Sequence, residues 1–167
     1  MITYIQIDGF KSFRKFAMEF SPLTVIAGPN ASGKSNLFDA IQLLSRVAEV
    51  DLKTAFSEQR GEAVELFTQY ADNEWADEMS FVVEMLVDKK VHDKFGGEAT
   101  LKYTRLKYEL TIRRVRNDRG LDDLVVAKEQ LEKIPHREDE WVKKYIPKLT
   151  LEYWRPKLGS DILNISG

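Results

Sequence analysis

The sequence predicts the α/β fold class, with a strand, a glycine loop and a helix in direct succession and an antiparallel β meander beside them. Three observations predict it. Leu23-Thr24-Val25-Ile26-Ala27 is a short apolar, β-branched run of the kind that forms a buried strand. Gly28-Pro29-Asn30-Ala31-Ser32-Gly33-Lys34-Ser35 follows at once and reads G-x-x-x-x-G-K-S, and Leu37, Phe38, Ile41, Leu44 and Ala48 then recur at helical spacing. Further along, Leu106, Tyr108, Leu110 and Ile112 alternate with Arg105, Lys107, Glu109, Thr111 and Arg113, the pattern of a half-buried antiparallel strand.

The elements can be taken in order. Residues 2–7 read as a strand with Ile5 and Ile7 on one face, and Asp8-Gly9 is turn chemistry. A second extended run covers Phe16–Phe20, and Ser21-Pro22 separates it from the run at Leu23. The glycines of Gly28–Ser35 let backbone approach a polyphosphate closely, and the amide N–H groups form an anion nest. Lys34 would meet the β/γ-phosphates of a nucleotide, and the Ser35 hydroxyl would be offered to Mg²⁺. The helix expected from Lys34 to about Glu49 points its electropositive N-terminus at the same place. A short helix around Leu52, Ala55 and Phe56 precedes Gln59-Arg60-Gly61. Strands follow over Phe81–Val87 and residues 105–113, with a polar connection at His92–Gly97, a hairpin turn at 117–120 and a return strand starting at Leu124. Glu138–Tyr145 reads as helix and Leu149–Tyr153 as a last strand. At 167 residues one domain is the default, with room for a core.

Ile5-Gln6-Ile7-Asp8-Gly9-Phe10-Lys11-Ser12-Phe13, with the run from Leu23 through Asn36-Leu37, resembles the opening of SMC- and RecF-like AAA-family ATPases with ABC-type heads. Those proteins begin I-x-x-F-K-S/G-F and continue L-x-x-I-x-G-x-N-G/A-S-G-K-S-N/T. The resemblance covers about the first 45 residues, and Ala31 stands where many members carry glycine. It implies a P-loop NTPase lobe that holds ATP or ADP with Mg²⁺ through Gly28, Pro29, Asn30, Ala31, Ser32, Gly33, Lys34, Ser35 and Asn36. Ser35 is the implied metal ligand. It also implies that residues 1–167 form a single N-terminal nucleotide-binding lobe of a longer ATPase, with a C-terminal lobe and a head-to-head dimer partner, and it leaves DNA as a partner for the longer protein to supply, not for this lobe. A loop arginine after the first helix reaches the nucleotide in such heads. Arg60 resembles it by position, and a solvated loop arginine is the alternative reading.

A working ATPase also needs an apolar strand ending in Asp-Glu and a signature motif. Val82–Asp88 is interrupted by Glu84, Leu124–Ala127 ends in Lys128, and Asn164–Gly167 matches a signature only superficially. Gln59, Gln69 and Gln130 are equal candidates for the glutamine that contacts Mg²⁺ in ABC-type heads. No catalytic residue is therefore assigned, and turnover by this chain alone is not expected. A small P-loop phosphotransferase and a non-enzymatic module stabilised by nucleotide remain the alternatives.

Composition bounds the rest. The net charge of −2 supplies no general attraction to nucleic acid or anionic membrane, and the absence of cysteine excludes disulfides, thiolate zinc sites and thiol catalysis. No apolar run is long enough to span a bilayer, and a cytoplasmic location is expected. His92 and His136 lack ligand spacing and read as surface residues. Arg113, Arg114, Arg116 and Arg119 read as a solvated strand end rather than phosphate contacts. Trp75, Trp141 and Trp154 read as packing residues.

Overall fold

The computed structural model describes residues 1–71, 74–92, 95–116 and 122–150. The strands are β1 (Ile2–Asp8), β2 (Phe16–Glu19), β3 (Gln69–Ala71), β4 (Glu74–Trp75), β5 (Glu78–Leu86), β6 (Lys90–His92), β7 (Glu98–Thr100), β8 (Arg105–Arg116) and β9 (Asp122–Lys133). The helices are α1 (Lys34–Val47), α2 (Leu52–Ser57) and α3 (Glu140–Tyr145), with short 3₁₀ turns at Ala63–Leu66 and Lys148–Thr150. One five-stranded sheet, ordered β2-β1-β5-β8-β9, carries the fold, and every neighbouring pair in it is antiparallel. β3 with β4 and β6 with β7 form separate two-stranded ribbons.

The register explains which side of the sheet is apolar. Ile7 lies opposite Phe81 and Phe81 opposite Leu110, while Ile5 lies opposite Val83 and Met79 opposite Ile112. Directly opposed residues share a face, so these side chains form one continuous apolar surface. Leu37, Ala40 and Leu43 of α1, Ala55 and Phe56 of α2, and Leu66 and Phe67 join the same core. Phe10 meets Phe81 edge-to-face at 5.7 Å between ring centroids. Gly9 is required at the end of β1. Its φ is +76°, and a Cβ there would lie 2.2 Å from the Glu78 carbonyl oxygen.

Several sequence expectations are met closely. β1, β2, β5, α2 and α3 lie where periodicity places them, and α1 runs from Lys34 as expected. Trp75 packs against the main core, and Trp141 is a buried residue of α3 whose indole N–H donates to the Phe20 carbonyl at 2.5 Å. His92 is paired with Glu98, and Arg113, Arg114 and Arg116 pair with Glu78, Asp77 and Asp122.

Others are corrected. Residues 23–27 form no ladder among the described residues: they carry no regular secondary structure between β2 and the glycine loop. Thr24 and Ile26 are half-buried, whereas Leu23 and Val25 are 84% and 82% exposed. The alternation of a strand is present but no neighbouring strand pairs with it, and β propensity is satisfied only by a partner. Phe38 is 59% exposed, because the packed face of α1 passes through Leu37, Ala40 and Leu43 instead. Arg105 was expected on the polar face of its strand, yet it is 4% exposed and held by Asp139, Thr3 and Glu84. Residues 148–150 form a 3₁₀ turn rather than the start of a strand. The expected hairpin turn at 117–120, Arg119, residues 151–153, Trp154 and Asn164–Gly167 lie outside the described residues.

Candidate nucleotide-binding site

The glycine loop closes onto the N-terminus of α1. Gly33 is the N-cap, with φ +88° in the left-handed region, and no side chain caps the helix. The first-turn N–H groups that an α-helix cannot satisfy internally are thus left to a ligand or solvent. Ala31 also adopts a left-handed conformation, φ +65°, which favours glycine. Ala31, which stands where many members of the resembled family carry glycine, therefore falls where the loop takes a glycine-favouring conformation.

Lys34 folds back into the loop. Its ammonium donates to the Gly28 carbonyl at 2.8 Å, the Pro29 carbonyl at 2.6 Å and the Ser32 hydroxyl at 3.3 Å. These acceptors are all loop atoms, so the cation is held at the loop's centre. Ser35 lies exposed in the first turn of α1. Asn36 donates from Nδ2 to Ser12 Oγ at 2.8 Å, tying the helix to the loop between β1 and β2. An uncapped helix N-terminus, one ammonium and two hydroxyls, Ser32 and Ser35, make a donor set suited to a polyphosphate and its cation.

Arg60 lies next to the same helix. Its Nη2 donates to Asp39 Oδ1 at 2.7 Å, and its side chain is 77% exposed. Asp39 also accepts from Lys11 Nζ at 2.6 Å. Burial raises the Asp39 pKa, but hydrogen bonds from Lys11 and Arg60 outweigh it and hold the carboxyl below its ordinary value. The structure thus brings Arg60 to the helix that begins at Lys34. Asp39 and Lys11 were not singled out from sequence. The available signal was an acidic residue inside the apolar run Leu37-Phe38-Asp39-Ala40-Ile41.

Of the three glutamines, Gln59 is buried against the Ala55 carbonyl, whereas Gln69 and Gln130 are exposed in β3 and β9. Asp88 is exposed beyond the end of β5, whose neighbours β1 and β8 are both antiparallel. No group of three or more His, Cys, Asp or Glu suited to a metal occurs among the described residues.

The family profile described as an AAA ATPase domain matches residues 1–153. The chain belongs to that family. The chromosome partition protein Smc of Halothermothrix orenii is 55% identical to this AAA ATPase domain over 40 residues, which are 23% of this chain and 3% of that protein. The matched stretch is thus a small fraction of that relative's length. A solved chain described under ATP-driven dimerization and DNA-stimulated activation of SMC ATPases aligns with a TM-score of 0.40 and 23% identity, over 77% of this chain and 71% of the other. The recombination mediator protein RecF, described with ATPrS in the RecFOR pathway, aligns with a TM-score of 0.44 and 19% identity, over 78% of this chain and 28% of its own. The expectation of an SMC/RecF-like ABC-type head agrees with the family match and with the identity to Smc. No helix among the described residues is long and apolar enough to cross a membrane.

Proposed function

We propose that this AAA ATPase domain binds MgATP through the Walker A loop Gly28–Ser35, as the N-terminal lobe of an SMC/RecF-like ATPase. The observation that carries the reading is the uncapped start of α1 at Gly33, with the Lys34 ammonium held inside the loop. A polyphosphate would replace the carbonyl acceptors around Lys34 with better, anionic ones and would accept from the free N–H groups of the first helical turn. Asn36 and Ser12 brace that turn. Mg²⁺ supplies charge neutralisation between phosphate oxygens, and the Ser35 hydroxyl is the residue here that would hold it.

Hydrolysis and assembly extend the proposal beyond this lobe. Phosphoryl transfer requires a positioned water and a second carboxylate, and the antiparallel setting of β5 gives Asp88 neither. We assign those groups to a C-terminal lobe and a head-to-head dimer partner. Leu23 and Val25, two residues apart and each more than four-fifths exposed, are apolar surface that such a covering lobe would bury. DNA would be engaged through the whole protein, and a cytoplasmic location follows from the same reading.

The test is titration calorimetry with MgATP on the wild type and Lys34→Ala. Binding by the wild type and loss of most affinity in the variant are expected, with the thermal midpoint little changed because Lys34 contacts the loop rather than the core. Equal affinities would refute the assignment.

A further inference from the structure

The polar contacts of Asp39 lead beyond the loop itself. Asp39 lies on α1, five residues after Lys34, or roughly 7.5 Å along the axis at 1.5 Å per residue. Its side chain is 9% exposed and joins three segments of the chain. Lys11 reaches it from the loop between β1 and β2, and Arg60 reaches it from the segment after α2. The Lys11 side is firmly set. Lys11 takes φ +46°, and its N–H donates to the Leu66 carbonyl at 2.8 Å. Next to it, Ser12 accepts from Asn36 in the first turn of α1.

The Arg60 side is different. One guanidinium nitrogen is bound to the buried carboxylate, while 77% of the side chain stays open to solvent. A guanidinium carries five N–H donors in a planar fork. Anchoring it by one edge orients the fork and reduces the rotamer freedom that an anion would otherwise have to restrain. Two cations, Lys11 and Arg60, face the single Asp39 carboxylate, so the carboxylate does not cancel the positive charge gathered on it.

We propose that Asp39 is a positioning residue for nucleotide: it holds Arg60 so that the free edge of the guanidinium meets the phosphates of a nucleotide seated on Gly28–Ser35. This rests on the nucleotide reading above. Asp39 itself touches no ligand and acts through Arg60.

A double-mutant cycle on MgATP affinity, read by titration calorimetry, tests it. Arg60→Ala and Asp39→Asn should each weaken binding about tenfold, the usual scale of one charge-assisted hydrogen bond. Asp39→Asn in the Arg60→Ala background should then cost nothing further, because there is no guanidinium left to position. A merely structural effect of Asp39 would persist in that background, and multiplicative losses would overturn the proposal. Unchanged affinity in Asp39→Asn would also overturn it. Should Asp39→Asn not fold, Arg60→Lys carries the test. A lysine keeps the charge but cannot bind Asp39 and phosphate with one planar fork, so its affinity should match that of Arg60→Ala. Wild-type affinity in Arg60→Lys would overturn the proposal. Failure of the nucleotide reading appears separately, as wild-type binding that Lys34→Ala does not weaken.

Discussion

Replacing Asp139 by alanine should be among the most destabilising single changes in this domain. Arg105 is 4% exposed and the Asp139 side chain 1% exposed, so their pair is buried. The guanidinium Nε donates to both carboxylate oxygens at 3.2 and 3.1 Å, Nη1 donates to the buried Thr3 hydroxyl at 2.6 Å, and the cation sits 5.3 Å from the Trp141 ring centroid. Asp139 also caps α3, accepting from the Val142 N–H at 3.1 Å. Removing one member of such a pair strands the other charge in the interior, at a cost of about 3–5 kcal/mol. The lost cap adds about 1 kcal/mol. Glu84, 31% exposed and 3.3 Å from Nη2, offsets part of this, so we expect a net loss of about 3–5 kcal/mol. Urea unfolding with a slope of about 2 kcal/mol per molar would show a midpoint lowered by about 2 M. The double variant Arg105→Met, Asp139→Leu should recover part of the loss, since no charge is then left in the interior, while the partly exposed Glu84 and the Thr3 hydroxyl lose their partner and α3 stays uncapped. A loss under about 1 kcal/mol in Asp139→Ala, at unchanged slope, would mean that water reaches the pair, and the argument from burial would fail.

Ala31→Gly should raise stability by up to about 1 kcal/mol in urea unfolding: it relieves about 1–2 kcal/mol of left-handed strain against the extra unfolded-state entropy of glycine; a loss would show that the loop does not hold φ +65° in solution. Glu109 is held at a pKa of about 2 by hydrogen bonds from Lys107 and Lys128, well below its ordinary value near 4.5. A depressed carboxyl contributes stability above its unfolded pKa and loses it as pH falls through the folded one. Glu109→Gln should therefore cost less than about 1 kcal/mol at neutral pH, as partly exposed pairs do, and the difference from wild type should vanish between about pH 4.5 and 2. A difference that persists at pH 2 would remove the ion-pair explanation. Steady-state phosphate release from this chain alone should stay far below the ordinary enzyme range of about 1 s⁻¹ and above; turnover in that range that Lys34→Ala abolishes would place a catalytic acid within the lobe.

The local architecture is written in the residues themselves. Alternation placed β1 and β8, helical spacing after Gly33-Lys34 placed α1, and Leu52, Ala55 and Phe56 marked α2, because each of these signals acts within a few residues of chain. The loop Gly28–Ser35 stands out for the same reason: the anion cradle proposed for it needs its glycines, lysine and serine contiguous. Tertiary structure alone decided the rest. Leu23–Ala27 has the composition of a strand but becomes one only when another strand supplies its hydrogen bonds, and the five-stranded sheet is ordered without it. Arg105 alternates as a surface residue does, yet Thr3, Glu84 and Asp139, distant in sequence, close around it. Phe38 sits at helical spacing with Ile41 but points away from the core, because the sheet contacts only one side of α1. Asp39, to which the sequence assigns no role, is where Lys11 and Arg60 meet. Ion pairs between distant segments leave no periodic trace in a sequence, since opposite charges attract across any chain separation that the fold happens to close.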